Sequence, residues 1–181
     1  MDSQILILVL AVVAAGAALA VWLLARKRRA ERMQIKYGPE YERVIGETGN
    51  ERRAAKELDR REKRIEKLHI RPLTGEERVS YAADWHRTQE QFVDDPARAV
   101  AEADRLVQTV MAARGYPVVD FEQRVADVSV DHPRVVEHYR AAHAIALRYD
   151  RGEATTEDLR QALVHDRALF EELLEEPAPA V

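Results

Sequence analysis

Residues 5–25 read ILILVLAVVAAGAALAVWLLA, an apolar run with no charged side chain, and the basic cluster Arg26–Arg29 follows it directly. At 1.5 Å per residue, a helix of this run is roughly 31 Å long, about the hydrocarbon thickness of a bilayer. The run therefore predicts a transmembrane helix. A cleaved signal peptide is the alternative, because the ALA at 18–20 resembles a cleavage site. Against that alternative, residues 1–4 carry no basic side chain and the apolar run continues past the site.

The charges beside the run predict its orientation. Lys and Arg close to a membrane span stay on the cytoplasmic side, so we expect residues 1–4 outside the cell and everything after the span in the cytoplasm. An indole at the end of the run suits the headgroup region. The residues expected to contact the membrane surface are Trp22, Arg26, Lys27, Arg28 and Arg29. Small residues at four-residue spacing within the run leave a homo-oligomer open.

Composition narrows the fold class and the chemistry. The 181-residue chain has no Cys, which excludes disulfides, thiolate metal sites and a cysteine nucleophile. Apolar residues recur at helical spacing between Gly and Pro breaks, and alternating strand patterns are missing, so the chain is predicted to be all-α. No P-loop, dinucleotide-binding glycine pattern or nucleophile elbow occurs. We therefore expect no enzyme activity, no cofactor and no bound metal.

Charge divides the chain after the span. Residues 26–71 contain 16 Lys and Arg against 9 Asp and Glu, whereas residues 72–181 contain 12 against 22. A basic membrane-proximal half and an acidic distal half are therefore expected. The predicted organisation is a short external N-terminus (1–4), a transmembrane helix (5–25), a basic juxtamembrane helical linker (26–71), an acidic helical-bundle domain (72–176) and a disordered tail (177–181).

Helix start and stop signals fill in the distal domain. Four substantial helices and one short one are expected to pack as an irregular antiparallel bundle. The signals are side chains typical of helix caps, Pro at first turns and Gly at helix ends. They are Asn50, Thr74 with Glu77, Asp95 with Pro96, Gly115, Asp120 with Gln123, Asp131 with Pro133, and Thr155 with Asp158.

The charged helix predicted from Asn50 to His69 admits two interpretations. Its basic side chains could bind nucleic acid; they are Arg52, Arg53, Lys56, Arg60, Arg61, Lys63, Arg64 and Lys67. Acidic residues alternate with them at spacings that allow ion pairs within the helix, and no aromatic residue is available for base stacking. A solvated, self-paired helix is the favoured interpretation, and nucleic-acid binding is the minor one.

One segment of the bundle carries candidate polar chemistry. Asp131, His132, Tyr139 and His143 lie within residues 120–143, the stretch densest in mixed polar and aromatic residues. Asp131 and His132 could form a pair in which the acid orients a histidine base. The simpler interpretation is that Asp131 caps the next helix. Tyr139 and His143 are four residues apart and share a helix face, but no pattern of metal ligands accompanies them.

Four strings carry a resemblance that spans nearly the whole chain. They are the apolar run with ARKRR at 25–29, YGPEYERV at 37–44, IRPL at 70–73, and DFEQRVADVSVDHPRVVEHYRAAHAIA at 120–146. With them the chain resembles uncharacterised small single-pass membrane proteins of high-GC Gram-positive (actinobacterial-type) bacteria. The resemblance implies a membrane location and no particular activity.

Taken together, the sequence predicts a membrane-anchored helical interaction or scaffold module that binds an unidentified protein partner. Two alternatives stay open. The helical domain could bind a small ligand or act as an enzyme through the segment from Asp131 to His143, or the chain could be secreted after signal-peptide cleavage.

Overall fold

The computed structural model describes residues 2–175, and the side chains of that range except those of residues 2–6, 9, 11, 12 and 26. Within this range the chain forms eight helices and no strand, so the all-α prediction is confirmed. The helices are α1 (Asp2–Tyr37), α2 (Pro39–Thr48), α3 (Glu51–Ile65), α4 (Gly75–Gln91), α5 (Pro96–Arg114), α6 (Phe121–Asp131), α7 (Val136–Asp150) and α8 (Thr156–Leu174). The tail predicted at 177–181 lies outside the described residues.

The chain divides into two compact units, residues 1–55 and residues 56–181. In the first unit, α1 continues past the apolar run and ends at Tyr37. Gly38 then takes a φ of 52°, which favours glycine, and Pro39 opens α2. Tyr37, Tyr41 and Val44 are buried within this unit. Gly38 and Pro39 therefore separate α1 from α2.

The apolar side chains of α1 are largely exposed. The large ones that the structure describes between Ile7 and Leu24 have exposed fractions from 49% to 67%. Among the described residues, no helix has both the length and the apolar character needed to cross a membrane. The transmembrane helix predicted for residues 5–25 thus stays a prediction.

In the second unit, the predicted caps position the helices. Thr74 and Glu77 form a complete capping box at the start of α4, and Thr155 and Asp158 form another at α8. These reciprocal bonds satisfy backbone N–H groups that the first turn leaves free. The side chains of Asp95 and Asp120 likewise accept backbone N–H groups at α5 and α6. The four caps were predicted from sequence and are confirmed.

The bundle is built around α8, which packs against both α5 and α7, while α4 packs against α5. Four substantial helices and one short one are present, as predicted. An aromatic pair joins α4 to α8, since the rings of Trp85 and Phe170 stack with centroids 4.5 Å apart. The core consists of apolar side chains from several helices, among them Val107, Val128, Tyr139 and Leu169.

The basic helix α3 departs from expectation. Ile65 at its end belongs to the bundle core. The Arg61 guanidinium donates to Ser129 Oγ at 3.1 Å, and Arg64 Nε donates to Asp127 Oδ1 at 2.8 Å. The prediction of a solvated helix is therefore wrong for its second half, although the pair of Glu57 with Arg61 within the helix is present. Sequence spacing showed pairs within the helix, such as Glu57 with Arg61, but could not show an acceptor more than 60 residues away.

Candidate functional site

The four predicted polar residues belong to two separate groups. Asp131 is the last residue of α6, and its carboxylate accepts the Tyr116 hydroxyl at 2.6 Å. His132 is buried, and its Nδ1 lies 3.2 Å from Glu172 Oε1. Tyr139 and His143 lie on α7 and have other neighbours. The structure therefore does not assemble these four side chains into one site.

The helix cap predicted at Asp131 is wrong. The α7 helix begins only at Val136, after a turn, and its N-cap Val135 makes no side-chain capping bond. Asp131 instead ends the preceding helix α6, and α7 begins three residues after Pro133. The orienting pair with His132 is not formed either, since Asp131 bonds to Tyr116 and His132 to Glu172.

The group around Asp131 and His132 holds the end of α6 to the end of α8. Arg114 is 1% exposed, and its guanidinium donates to the Leu173 carbonyl at 3.0 Å. A cation is favourable at this helix C-terminus. Burial raises the pKa of Tyr116, and the Asp131 charge raises it further. Burial lowers the pKa of His132, although its bond to Glu172 opposes the shift. These contacts explain stability rather than chemistry.

The group around Tyr139 links three helices. The Tyr139 hydroxyl donates to Asp104 Oδ1 on α5 and accepts from Arg124 Nε on α6, both at 3.2 Å. Arg124 is also buried and donates to the Val119 carbonyl at 2.7 Å. Burial raises the pKa of Tyr139, and the Asp104 charge adds to the rise. Tyr139 therefore stays a neutral hydroxyl that fixes the position of Asp104.

A second buried carboxyl group, that of Asp166, lies near Asp104. Asp166 on α8 is 1% exposed, and its Oδ1 has no hydrogen-bond partner among the described residues. Burial raises the pKa of Asp166 well above its usual range, and the Asp104 charge raises it further. Two carboxylates in a low-dielectric site cannot both ionise without a cost. Burial and the Asp104 charge therefore shift Asp166 toward its neutral form.

Asp104 and Asp166 line a cleft of about 390 Å³ between α5, α7 and α8. His143 lies at this cleft, and its ring stacks on Phe121 with centroids 3.6 Å apart. Burial lowers the pKa of His143. Much of the remaining wall is apolar, with Val100, Leu147 and Leu159 among its residues. Of the predicted residues, His143 alone lines this cleft, while Tyr139 supports it through Asp104.

Sequence reasoning missed Asp104 and Asp166, although a signal was available. Asp104 follows Val100 by four residues and precedes Val107 by three, which places it on the buried stripe of α5. Asp166 follows Leu163 by three residues and precedes Phe170 by four, which places it on the buried stripe of α8. An acidic residue on an apolar stripe predicts a buried carboxyl group.

Other polar sites are weaker. His138 Nδ1 lies 2.9 Å from His165 Nδ1. Among the described residues, no three His, Asp or Glu side chains converge in a way that could hold a metal ion.

The predicted membrane-surface residues lie in the first unit. Trp22 is 56% exposed, and together with Arg29 it lines a cavity of about 450 Å³. Lys27 Nζ lies 3.9 Å from Glu31 Oε1 in an exposed pair, and Arg28 is exposed. The side chain of Arg26 lies outside the described set.

No protein-family model, curated protein or solved structure matches this chain. The resemblance to single-pass membrane proteins therefore stays a prediction.

Proposed function

We propose that this protein is a single-pass protein of the cytoplasmic membrane whose helical domain, on the cytoplasmic side, binds a partner protein there. The observation that carries the proposal is the uncharged run at 5–25 with basic residues directly after it. The structure does not describe the side chains of five residues of this run, and all five are apolar in the sequence: Ile5, Leu6, Val9, Ala11 and Val12.

Three further observations support a lipid-embedded helix. The α1 helix is continuous through the run, so its backbone groups are paired within the segment, as a bilayer requires. Its described large apolar side chains are exposed, which suits contact with lipid. The basic cluster at its end favours the cytoplasmic leaflet, where anionic lipid contributes about 1 kcal/mol per basic residue.

Membrane retention tests the anchor. We expect the full chain to stay in the membrane pellet after alkaline carbonate extraction. Val13→Arg places a charge near the middle of the run and should cost about 2.5–3.5 kcal/mol of insertion free energy. Val79→Arg is the matched control, because Val79 on α4 is 72% exposed. Equal extraction of both variants and the unmodified chain by carbonate would contradict the proposal.

Two further measurements separate orientation from processing. Protease added outside intact cells should leave residues 26–181 undigested, and N-terminal sequencing of the mature protein should read residues of the apolar run or residues before it. A mature chain that begins after residue 20 would favour the signal-peptide alternative instead.

Crosslinking in the native membrane tests for a partner protein. The crosslink to that partner should be lost from a chain that ends before residue 72.

A second candidate function is a small-ligand-binding domain. The cleft lined by Asp104 and Asp166 favours it, because an apolar concavity with a few convergent polar groups is typical of ligand sites. The site residues then differ from the segment predicted by sequence, since neither Asp131 nor His132 lines the cleft.

A further inference from the structure

The feature that calls for a ligand is the carboxyl group of Asp166. It is almost fully buried, it belongs to a residue that lines a cleft, and its Oδ1 has no hydrogen-bond donor among the described residues. Buried carboxyl oxygens in folded proteins nearly always have a hydrogen-bond partner. A group that enters the cleft and donates a hydrogen bond would satisfy this oxygen.

The charges around Asp166 define what that donor is. Asp104 faces it from α5 and is itself held by Tyr139 and by Gln108, whose amide donates at 2.7 Å. His143 and Asp150 line the cleft from α7, and Asp166 lines it from α8. Three carboxyl groups thus line one cleft, and a positive charge would offset the repulsion between them. Neutral donors would satisfy the hydrogen bond but not the charge.

The shape of the cleft selects an organic cation over a metal ion. The described residues offer no three converging metal ligands. The walls are instead partly apolar, with Val100, Leu147 and Leu159 beside the carboxyl groups. An ammonium group can donate to two carboxylates at once, while a short hydrocarbon stem covers the apolar wall.

We propose that the cleft between α5, α7 and α8 binds a primary ammonium group on a short apolar stem, with Asp166 and Asp104 as its acceptors. This inference deepens the second candidate function and does not depend on the membrane anchor. The cation belongs either to a free alkylamine or to a lysine side chain of a partner protein.

Binding changes the protonation of the site in a defined way. Burial and the Asp104 charge shift Asp166 toward its protonated form; a bound ammonium stabilises the carboxylate, and any proton on it leaves to solvent. The neighbouring titratable groups are Asp104, His143, Asp150 and Tyr139, of which Tyr139 stays neutral. Affinity for the ammonium should therefore rise with pH, with up to one proton released for each cation bound.

The experiment uses the full chain in non-ionic detergent, with n-butylammonium as the probe and ligand-observed NMR and calorimetry as the measurements. Neutral n-butanol tests the charge, Mg²⁺ alone tests for a metal site, and Nα-acetyl-lysine N-methylamide tests the lysine source. Asp166→Asn keeps the shape of the side chain and removes the charge, and Asp104→Asn does the same on α5. Asp94→Asn is the matched control, since Asp94 is exposed and does not line the cleft.

We expect n-butylammonium to bind the unmodified chain and Asp94→Asn equally, and n-butanol to bind neither. Asp166→Asn and Asp104→Asn should each weaken binding on the order of 10- to 100-fold, the usual loss for a hydrogen bond between charged groups. Equal binding to all variants, no binding to the unmodified chain, or binding of Mg²⁺ in place of the amine would each overturn the proposal. Carbonate extraction is unaffected by these outcomes, so the anchor is judged separately.

Discussion

Replacing Arg64 with Ala should destabilise the bundle far more than the same change at Arg60, four residues earlier on α3. Arg64 Nε donates to Asp127 Oδ1 at 2.8 Å, and the Asp127 side chain is fully buried. Arg60 is 77% exposed and pairs with Glu57 of its own helix. The two substitutions remove the same side chain from one helix and differ in what each guanidinium contacts.

The magnitude follows from the surroundings of Asp127. Removing one partner of a buried ion pair costs about 3–5 kcal/mol. The Arg64 side chain is 43% exposed, so solvent screens part of that interaction. Gln123 Nε2 still donates to Asp127 Oδ1 at 2.8 Å. We therefore expect a loss of about 2 kcal/mol in the free energy of unfolding for Arg64→Ala, and within about 0.5 kcal/mol of zero for Arg60→Ala.

Trp85 provides the assay. It is 4% exposed and stacked on Phe170, so its fluorescence reports unfolding of the bundle. Trp22→Phe removes the other Trp of the chain. In urea, a loss of about 2 kcal/mol should lower the midpoint by roughly 1 M. Arg64→Ala combined with Asp127→Asn should lose less than the sum of the single changes. Equal midpoints for the two arginine variants would refute the docking of α3 on the bundle.

The remaining predictions concern a turn and the histidines. Gly115→Ala should cost more than 2 kcal/mol of unfolding free energy, because φ is +99° and the new Cβ would lie 2.4 Å from the His69 carbonyl oxygen. Gly152→Ala should cost about 1 kcal/mol, because φ is also positive there but the new Cβ would meet open space. Equal urea midpoints for the two variants would contradict this prediction. Three histidines have pKa values that burial lowers from 6.5: His132, His143 and His165. Their unfolded forms bind more protons, so their contribution to stability is full above pH 6.5 and is lost as the pH falls toward their folded pKa values. The raised pKa of Asp166 changes stability with pH in the opposite direction, so the measurement uses Asp166→Asn, which removes that contribution. The urea midpoint of this variant should fall when the pH is lowered from about 7.5 to about 5.5. A midpoint that does not fall would contradict the expected sign.

Local signals made much of the fold predictable. Caps such as Thr74, Asp95 and Thr155 act through bonds to backbone groups three residues away, so their spacing in the sequence contains the whole interaction. Gly115 likewise ends α5 in the left-handed conformation, as expected for a helix cap. These features gave the number and order of the bundle helices.

Nonlocal partners made the rest unpredictable. Asp131 had a cap-like position before Pro133, and nothing in that segment shows that the Tyr116 hydroxyl is its donor. Arg61 bonds to Glu57 on its own helix but also donates to Ser129 on α6, and Arg64 donates to Asp127 on α6. A charged side chain takes the partner that the fold brings nearest, and the sequence around it cannot name that partner.

The candidate site depends both on a local pattern and on partners that are distant in sequence. It holds a carboxyl group that stability alone disfavours. Asp166 lies on an apolar stripe of α8, and its Oδ1 has no hydrogen-bond partner among the described residues. Burial of this carboxyl group therefore costs desolvation free energy that no hydrogen bond at Oδ1 offsets. A fold selected only for stability would place Asn or an apolar residue there, so Asp166→Asn should raise the free energy of unfolding while it weakens ammonium binding. If Asp166→Asn unfolds more easily than Asp94→Asn, the carboxyl group stabilises the bundle by itself, and the proposed cation site at Asp166 is contradicted.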